Sequence, residues 1–89
     1  MKIVINRCYG GFSLSEATTR LFGIESVYDI DRSNVLLVAM VEENPAEVSG
    51  RYARLAVVDI PDNATDWEIV EYDGFESVTA VVDGKLVHL

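Results

Sequence analysis

Hydrophobic residues in this chain fall into short runs separated by polar turn residues, and the first run lies close to the start. Residues 3–5 read Ile-Val-Ile within Lys2–Asn6, and such a β-branched run is typical of a strand buried on both faces. Gly10-Gly11 follows and permits a sharp reversal of the chain. The opening pattern therefore predicts a strand, a tight turn and then a helix.

The helix after this turn is predicted over residues 14–22. Ser13 and Glu16 have the spacing of a capping box, in which each side chain bonds the backbone amide of the other residue. Gly23 is expected to end the helix in the left-handed conformation. Residues 24–30 fit either a short strand or a loop.

The apolar run Val35–Glu43 permits two interpretations. Its valines and leucines favour a strand, whereas a cap at Ser33 or Asn34 and a length of about three turns favour a helix. We predict a helix, and because apolar residues nearly encircle it, we expect it to be largely buried or to lie at an oligomer contact. A further helical turn is predicted over Pro45–Val48.

The C-terminal part predicts a three-stranded antiparallel meander that follows a strand over residues 55–60. Asp73-Gly74 and Asp83-Gly84 are strong hairpin signals, and they join strands predicted over residues 67–72, 75–82 and 85–89. Two-residue turns fix the register. The predicted cross-strand pairs are Tyr72 with Phe75, Glu71 with Glu76, Ile69 with Val78, Trp67 with Ala80, Val82 with Lys85, Ala80 with Val87, and Thr79 with His88.

This register gives the meander two different faces. The face expected to receive the helices carries Trp67, Ile69, Val78, Ala80, Val82 and Val87. The other face is half apolar, which suggests a second layer or a subunit contact. We expect an interaction surface at this end of the chain, formed by Glu68, Tyr72, Phe75, Glu71 and Glu76, with the two opposed glutamates solvated at the strand ends.

The fold class that follows is α+β, in a single domain spanning residues 1–89. We predict a mostly antiparallel sheet of four to five strands with two helices packed on one face. The opening strand is expected to lie beside residues 55–60.

Charge and composition narrow the function. A net charge of −8 argues against nucleic-acid binding, which needs lysine and arginine. It allows a basic protein partner, mimicry of nucleic-acid charge, or simple solubility. The single cysteine excludes an internal disulfide framework and fits a reducing cytoplasm. Neither a signal peptide nor a run long enough to cross a bilayer is recognised, so we expect a cytoplasmic location without a membrane partner.

No catalytic constellation is found in the sequence. Cys8 would need a nearby base to act as a nucleophile, and nothing places His88, the sole histidine, beside it. Zinc spacings and nucleotide fingerprints are also missing, so we expect no enzyme, cofactor or metal.

One functional hypothesis is a small-ligand or nucleotide-binding module at the opening turn. Helix amides and an arginine can hold a phosphate, and a tyrosine can stack on a base. The residues of this hypothetical site are Arg7, Tyr9, Gly10, Gly11 and Ser13.

The opening K-I-V-I-N-R-C-Y-G-G-F-S-L-S resembles a family of small bacteriophage and prophage proteins. The resemblance continues through R-S-N to E-E in residues 32–43, S-G-R-Y-A-R-L in residues 49–55, and D-I-P-D with W-E-I-V-E-Y-D-G-F-E in residues 59–76. It implies a cytoplasmic phage protein and supplies no catalytic residues. Residues 77–89 depart from the charged, aromatic tail expected of relatives.

These observations favour a non-enzymatic interaction or regulatory protein that acts on a host or phage protein. An inhibitor of a host defence system would belong to this class. A homodimer is also expected, because a chain of this size gains stability by burying a second apolar sheet face.

Overall fold

The computed structural model describes residues 1–89 and shows an α+β fold with five strands in two antiparallel sheets. The elements, in chain order, are β1 Lys2–Asn6, α1 Glu16–Phe22, a 3₁₀ turn at Val27–Asp29, α2 Val35–Glu43, α3 Pro45–Val48, β2 Leu55–Asp59, β3 Ala64–Tyr72, β4 Phe75–Val82 and β5 Lys85–His88. The predicted class is confirmed. The prediction of a single sheet of four to five strands is wrong, because β1 and β2 form a separate ribbon and β3, β4 and β5 form the meander.

The ribbon is the middle layer of the molecule. Ile3 and Ile5 are fully buried in a cluster that includes Val78 of the meander. Val4, between them, is buried against the helices, in a cluster that includes Leu37. Alternation along a strand sends successive side chains to opposite faces, so a strand apolar on both faces can separate two cores. The prediction of burial on both faces is confirmed.

This layering corrects the expected position of the helices. The meander face that was predicted to receive them packs on the ribbon instead, through Ile69 and Val78. The helices cover the opposite face of the ribbon. Periodicity identifies an apolar face, but it does not identify which element covers that face.

The register of the meander is as predicted. All seven predicted cross-strand pairs are present, and β1 lies antiparallel to β2 as expected, with Val4 opposite Val57. β3 begins earlier than predicted, at Ala64 rather than Trp67, with an irregularity between Ala64 and Asp66.

Helix α1 begins later than predicted, and the Ser13 capping box is wrong. Ser15 is the N-cap, and its Oγ accepts a hydrogen bond of 3.2 Å from the Thr18 amide. Ser13 pairs with a distant segment instead, because its backbone carbonyl oxygen accepts a hydrogen bond of 3.0 Å from the Gly50 amide. Gly23 ends the helix at φ 63°, as predicted.

Helix α2 confirms the helical interpretation of its apolar run. Asn34 caps it, with Oδ1 accepting from the Leu37 amide at 3.1 Å. One side of the helix is buried, whereas Val35 on the other side is 84% exposed. The expectation that the helix is largely buried therefore holds for one face only.

Two ionisable groups beside α2 have shifted pKa values. The Ser33 backbone amide and, to a smaller extent, the Ser33 hydroxyl donate hydrogen bonds to the Asp31 carboxylate, and these bonds lower the pKa of Asp31. A hydrogen bond of 2.9 Å to Glu42 raises the pKa of Lys2. The first contact closes the turn that precedes α2, and the second joins the C-terminal end of α2 to β1. None of the helices is long and apolar enough to cross a membrane.

Candidate functional site

The outer face of the meander, turned away from the ribbon, carries large apolar side chains that nothing covers. On this face Val70 is 42% exposed, Tyr72 72% and Leu86 64%. Phe75 is only half-buried, and its sole aromatic neighbour is Tyr9, with ring centroids 5.3 Å apart. We call Glu68, Val70, Tyr72, Leu86 and His88 the outer face.

Exposed carboxylates lie on the outer face and in the turns beside it. Residues 64–89 contain a single lysine, Lys85, and five exposed acidic side chains that form no ion pair. Asp66 and Glu68 lie on the outer face, Asp73 and Asp83 lie in the two hairpin turns, and Glu71 lies opposite Glu76 on the side of the ribbon. Like charges gathered on one surface create a negative potential that attracts and orients cationic partners. The outer face therefore combines apolar contact area with a negative field.

Glu76 is not part of this exposed surface, contrary to the sequence prediction. It lies opposite Glu71, as predicted, but it is only 6% exposed. Its two carboxylate oxygens accept from the Arg32 guanidinium at 2.8 and 3.0 Å. The expected solvation of the pair holds for Glu71 alone, and a cation neutralises Glu76.

Further contacts hold the Arg32 side chain in place. Its Nη1 also donates to the Val4 carbonyl oxygen at 3.1 Å, and its guanidinium carbon lies 3.5 Å from the centroid of the Phe12 ring. A bidentate fork held over an aromatic ring has little freedom to rearrange. The ion pair therefore joins the segment before α2 to the meander.

Asn6, fully buried at the end of β1, completes this junction. Its backbone amide donates to the Glu76 carboxylate at 2.8 Å, and its side-chain Nδ2 donates to the Cys8 and Gly74 carbonyl oxygens, both at 2.7 Å. Its Oδ1 accepts from the Arg54 amide at 2.8 Å. No buried side-chain polar atom in the protein is left without a partner, so the network is structural support for the surfaces around it.

The five residues of the opening-turn hypothesis point to different places. Tyr9 packs on Phe75, Gly11 lines a groove beside Arg32, and Arg7 lines a separate groove beside Arg54. Ser13 bonds Gly50 through its backbone. The structure does not bring the five together around one cavity.

Gly10 has a structural reason for its place in this turn. A Cβ at this position would lie 1.7 Å from the Tyr52 carbonyl oxygen, so only glycine lets the two backbones approach. The Cys8 thiol donates to that same oxygen at 2.8 Å. These contacts pack the turn against residues 50–54.

The structure shows no hydrogen bond between Cys8 and His88, which lies opposite Thr79 on β5. No group of three or more histidine, cysteine, aspartate or glutamate side chains is placed to hold a metal ion. Comparison of the chain with protein-family models, with curated proteins and with solved structures finds no match. Function is therefore inferred from geometry and charge.

Sequence reasoning missed three arginines that the structure makes prominent. The like charges of Glu71 and Glu76 signalled the need for a cation, but nothing local pointed to Arg32, which is 44 residues away. Arg51 and Arg54 lie in the S-G-R-Y-A-R-L segment. The sequence analysis predicted that β1 lies beside residues 55–60 but gave no register, and the register in the structure, extended by one residue, places Arg54 opposite Arg7.

Proposed function

We propose that this protein is a non-enzymatic binding protein that attaches to a positively charged protein surface through the outer face. The observation that carries the proposal is the exposure of Val70, Tyr72 and Leu86 on one sheet face bordered by unpaired carboxylates. Tyrosine surrounded by apolar neighbours is a common anchor of protein interfaces, and polar groups form the rim around such anchors.

The outer face is also preformed. Its strands pair continuously from Tyr72–Phe75 to Val82–Lys85, and the Arg32–Glu76 ion pair fastens the sheet from behind. A surface that is already ordered loses little conformational entropy when it binds. This rigidity favours recognition of a folded partner.

The charge of the surface favours a basic partner over a second copy of the chain. A symmetric contact would set the acidic patch that includes Glu68 and Asp73 against the same patch of the other copy, and like charges at an interface oppose association. A homodimer, which the sequence analysis also expects, would therefore use another face. The resemblance to phage proteins supports a host or phage protein as the partner, and a component of a host defence system fits this class.

The test is affinity capture from host lysate with matched variants. The outer-face variant carries Tyr72→Ala and Leu86→Ala, and the control variant carries Tyr28→Ala and Val35→Ala, which replace side chains that are 93% and 84% exposed elsewhere. All four side chains are exposed, so we expect both variants to keep the thermal unfolding midpoint of the wild type. Loss of two anchors is worth about 2 kcal/mol or more, roughly a 30-fold change in affinity.

We expect the wild type and the control variant to retain the same basic protein, and the outer-face variant to lose it. Retention should also fall as salt is added, because the attraction between exposed charges is screened. Equal retention by all three proteins would remove the outer face from the interface. A retained protein that is acidic would contradict the proposed chemistry of the partner.

A further inference from the structure

A groove of about 740 Å³ at the end of the ribbon gathers three arginines, Arg7, Arg51 and Arg54. Small apolar side chains, among them Ala46, Ala53 and Ala56, form part of its remaining wall. No carboxylate lines it. It is distinct from the outer face, and it is the one place where this acidic protein presents a basic surface.

The fold places two of these arginines directly opposite each other. Arg7 follows β1, Arg54 precedes β2, and the Arg7 amide donates to the Arg54 carbonyl oxygen at 2.8 Å, which continues the pairing of the ribbon. Like charges directly opposite each other on neighbouring strands are destabilising. Arg51 joins them from the turn closed by the hydrogen bond of 3.0 Å between the Ala53 amide and the Gly50 carbonyl oxygen.

None of the three guanidinium groups forms an ion pair with an aspartate or glutamate side chain, although the chain has 15 acidic residues. Lys2, Arg20 and Arg32 form the ion pairs made by basic side chains. Of the seven lysines and arginines, the remaining four are Lys85 and the three arginines of the groove. The unpaired positive charge of the protein is thus concentrated at one concave site.

The contacts that these side chains do make leave donors free. Arg7 Nη2 donates to a main-chain oxygen of Leu89 at 3.3 Å, and the Arg51 guanidinium carbon lies 5.4 Å from the centroid of the Tyr52 ring. A guanidinium has five N–H donors in a fork that matches phosphate oxygens. Apart from the Arg7 contact, the three guanidinium groups donate no hydrogen bond within the protein, so most of their donors are free.

We propose that this groove binds a small polyphosphate anion, such as the phosphate chain of a nucleoside di- or triphosphate. Three positive charges match an anion with several negative charges better than they match a single carboxylate. The volume lies within the range of about 300–1,000 Å³ that is common for small-molecule sites. A long nucleic acid would extend from the groove onto the negative surface of the protein, which opposes its binding.

The test is isothermal titration calorimetry with sodium tripolyphosphate and with ATP at constant ionic strength. The groove variant carries Arg51→Gln and Arg54→Gln, and the control variant carries Arg20→Gln and Lys85→Gln, which remove the same amount of charge outside the groove. We expect the groove variant to bind tripolyphosphate at least tenfold more weakly than the wild type. The control variant should stay within about twofold, because screened charges at a distance contribute little.

Two comparisons define the chemistry of the anion. Citrate, a tricarboxylate, should bind more weakly than tripolyphosphate, and tighter binding of ATP than of tripolyphosphate would show that the base also contacts the groove. Equal binding of ATP and tripolyphosphate would show that the phosphate chain alone is recognised. Citrate binding as tight as that of tripolyphosphate would overturn the phosphate assignment.

The proposal is overturned if neither phosphate compound binds the wild type at millimolar concentration, or if the groove and control variants weaken binding equally. Should the double groove variant fail to fold, the single Arg51→Gln variant receives the same comparison, because this exposed side chain forms no hydrogen bond or ion pair within the protein. The outer-face variant should bind tripolyphosphate like the wild type. The two proposals can therefore fail independently.

Discussion

Arg32 supplies the positive charge that allows Glu76 to lie inside the protein. The carboxylate accepts from both arms of the guanidinium and from the Asn6 amide, so its charge is matched and its oxygens are bonded. Burial of a carboxylate without such partners carries a large desolvation cost. The pair therefore stabilises the native arrangement mainly because either partner alone would be strongly unfavourable.

Replacement of Arg32 by alanine should be far more damaging than loss of a surface ion pair. We expect Arg32→Ala to lower the free energy of unfolding by about 3 kcal/mol, since it leaves Glu76 buried and uncompensated. The matched control is Arg20→Ala, which breaks the exposed pair with Glu16 and should cost less than about 0.5 kcal/mol. Urea unfolding followed by circular dichroism measures both values, and similar losses would contradict the structural role of the buried pair.

At the scale of the elements, the two Asp-Gly hairpin turns are alike in backbone and different in surroundings. Asp73 and Asp83 have φ values of 50° and 52°, and Gly74 and Gly84 have 87° and 75°. Gly74, however, lies against the opening turn, where an added Cβ would be 2.6 Å from the Gly11 amide nitrogen, whereas nothing lies within 4 Å of such an atom at Gly84. The first turn therefore has a packing role that the second lacks.

The matched substitutions Gly74→Ala and Gly84→Ala separate these two contributions. Both impose a left-handed conformation on alanine, which costs about 1–2 kcal/mol. Gly74→Ala should cost roughly a further 1–3 kcal/mol, because the new methyl group meets backbone atoms that cannot move aside. Denaturant unfolding of the two variants measures the difference. Equal free energies of unfolding would show that the first hairpin does not press on the opening turn.

The hairpins also show which elements the sequence could predict. Two-residue turns fix register locally, so every predicted pair of the meander is correct. Helix α2 was identified from its cap and length. The start of α1 was missed because the contact of Ser13 with Gly50 and the bridge between Leu14 and Ser49 are made between distant segments, and a capping pattern does not reveal such competition.

At the scale of the whole molecule, the sequence predicted the class and missed the layers. Ile3, Val4 and Ile5 indicate burial on both faces, but they do not show that the meander covers one face and the helices the other. The exposed positions of the site, such as Tyr72, followed from register alone. The burial of Glu76 and the gathering of arginines depend on long-range packing, and they could not be read from local patterns.

The same packing separates the charges of the protein. Unpaired carboxylates such as Glu68 and Asp73 lie on the meander, and Arg51 and Arg54 line the groove at the end of the ribbon. A chain with a net charge of −8 thus offers one acidic surface with apolar anchors and one basic groove. The two proposed partners therefore differ in charge, a basic protein for the outer face and a polyphosphate anion for the groove.

The most direct test of the outer face as the binding surface is a chemical-shift titration of the ¹⁵N- and ¹³C-methyl-labelled protein with the partner recovered by capture. We predict that the largest changes occur at Val70, Tyr72 and Leu86 and that they weaken with added salt. Changes centred on the helices or on the arginine groove, with the outer face unaffected, would contradict the proposed function.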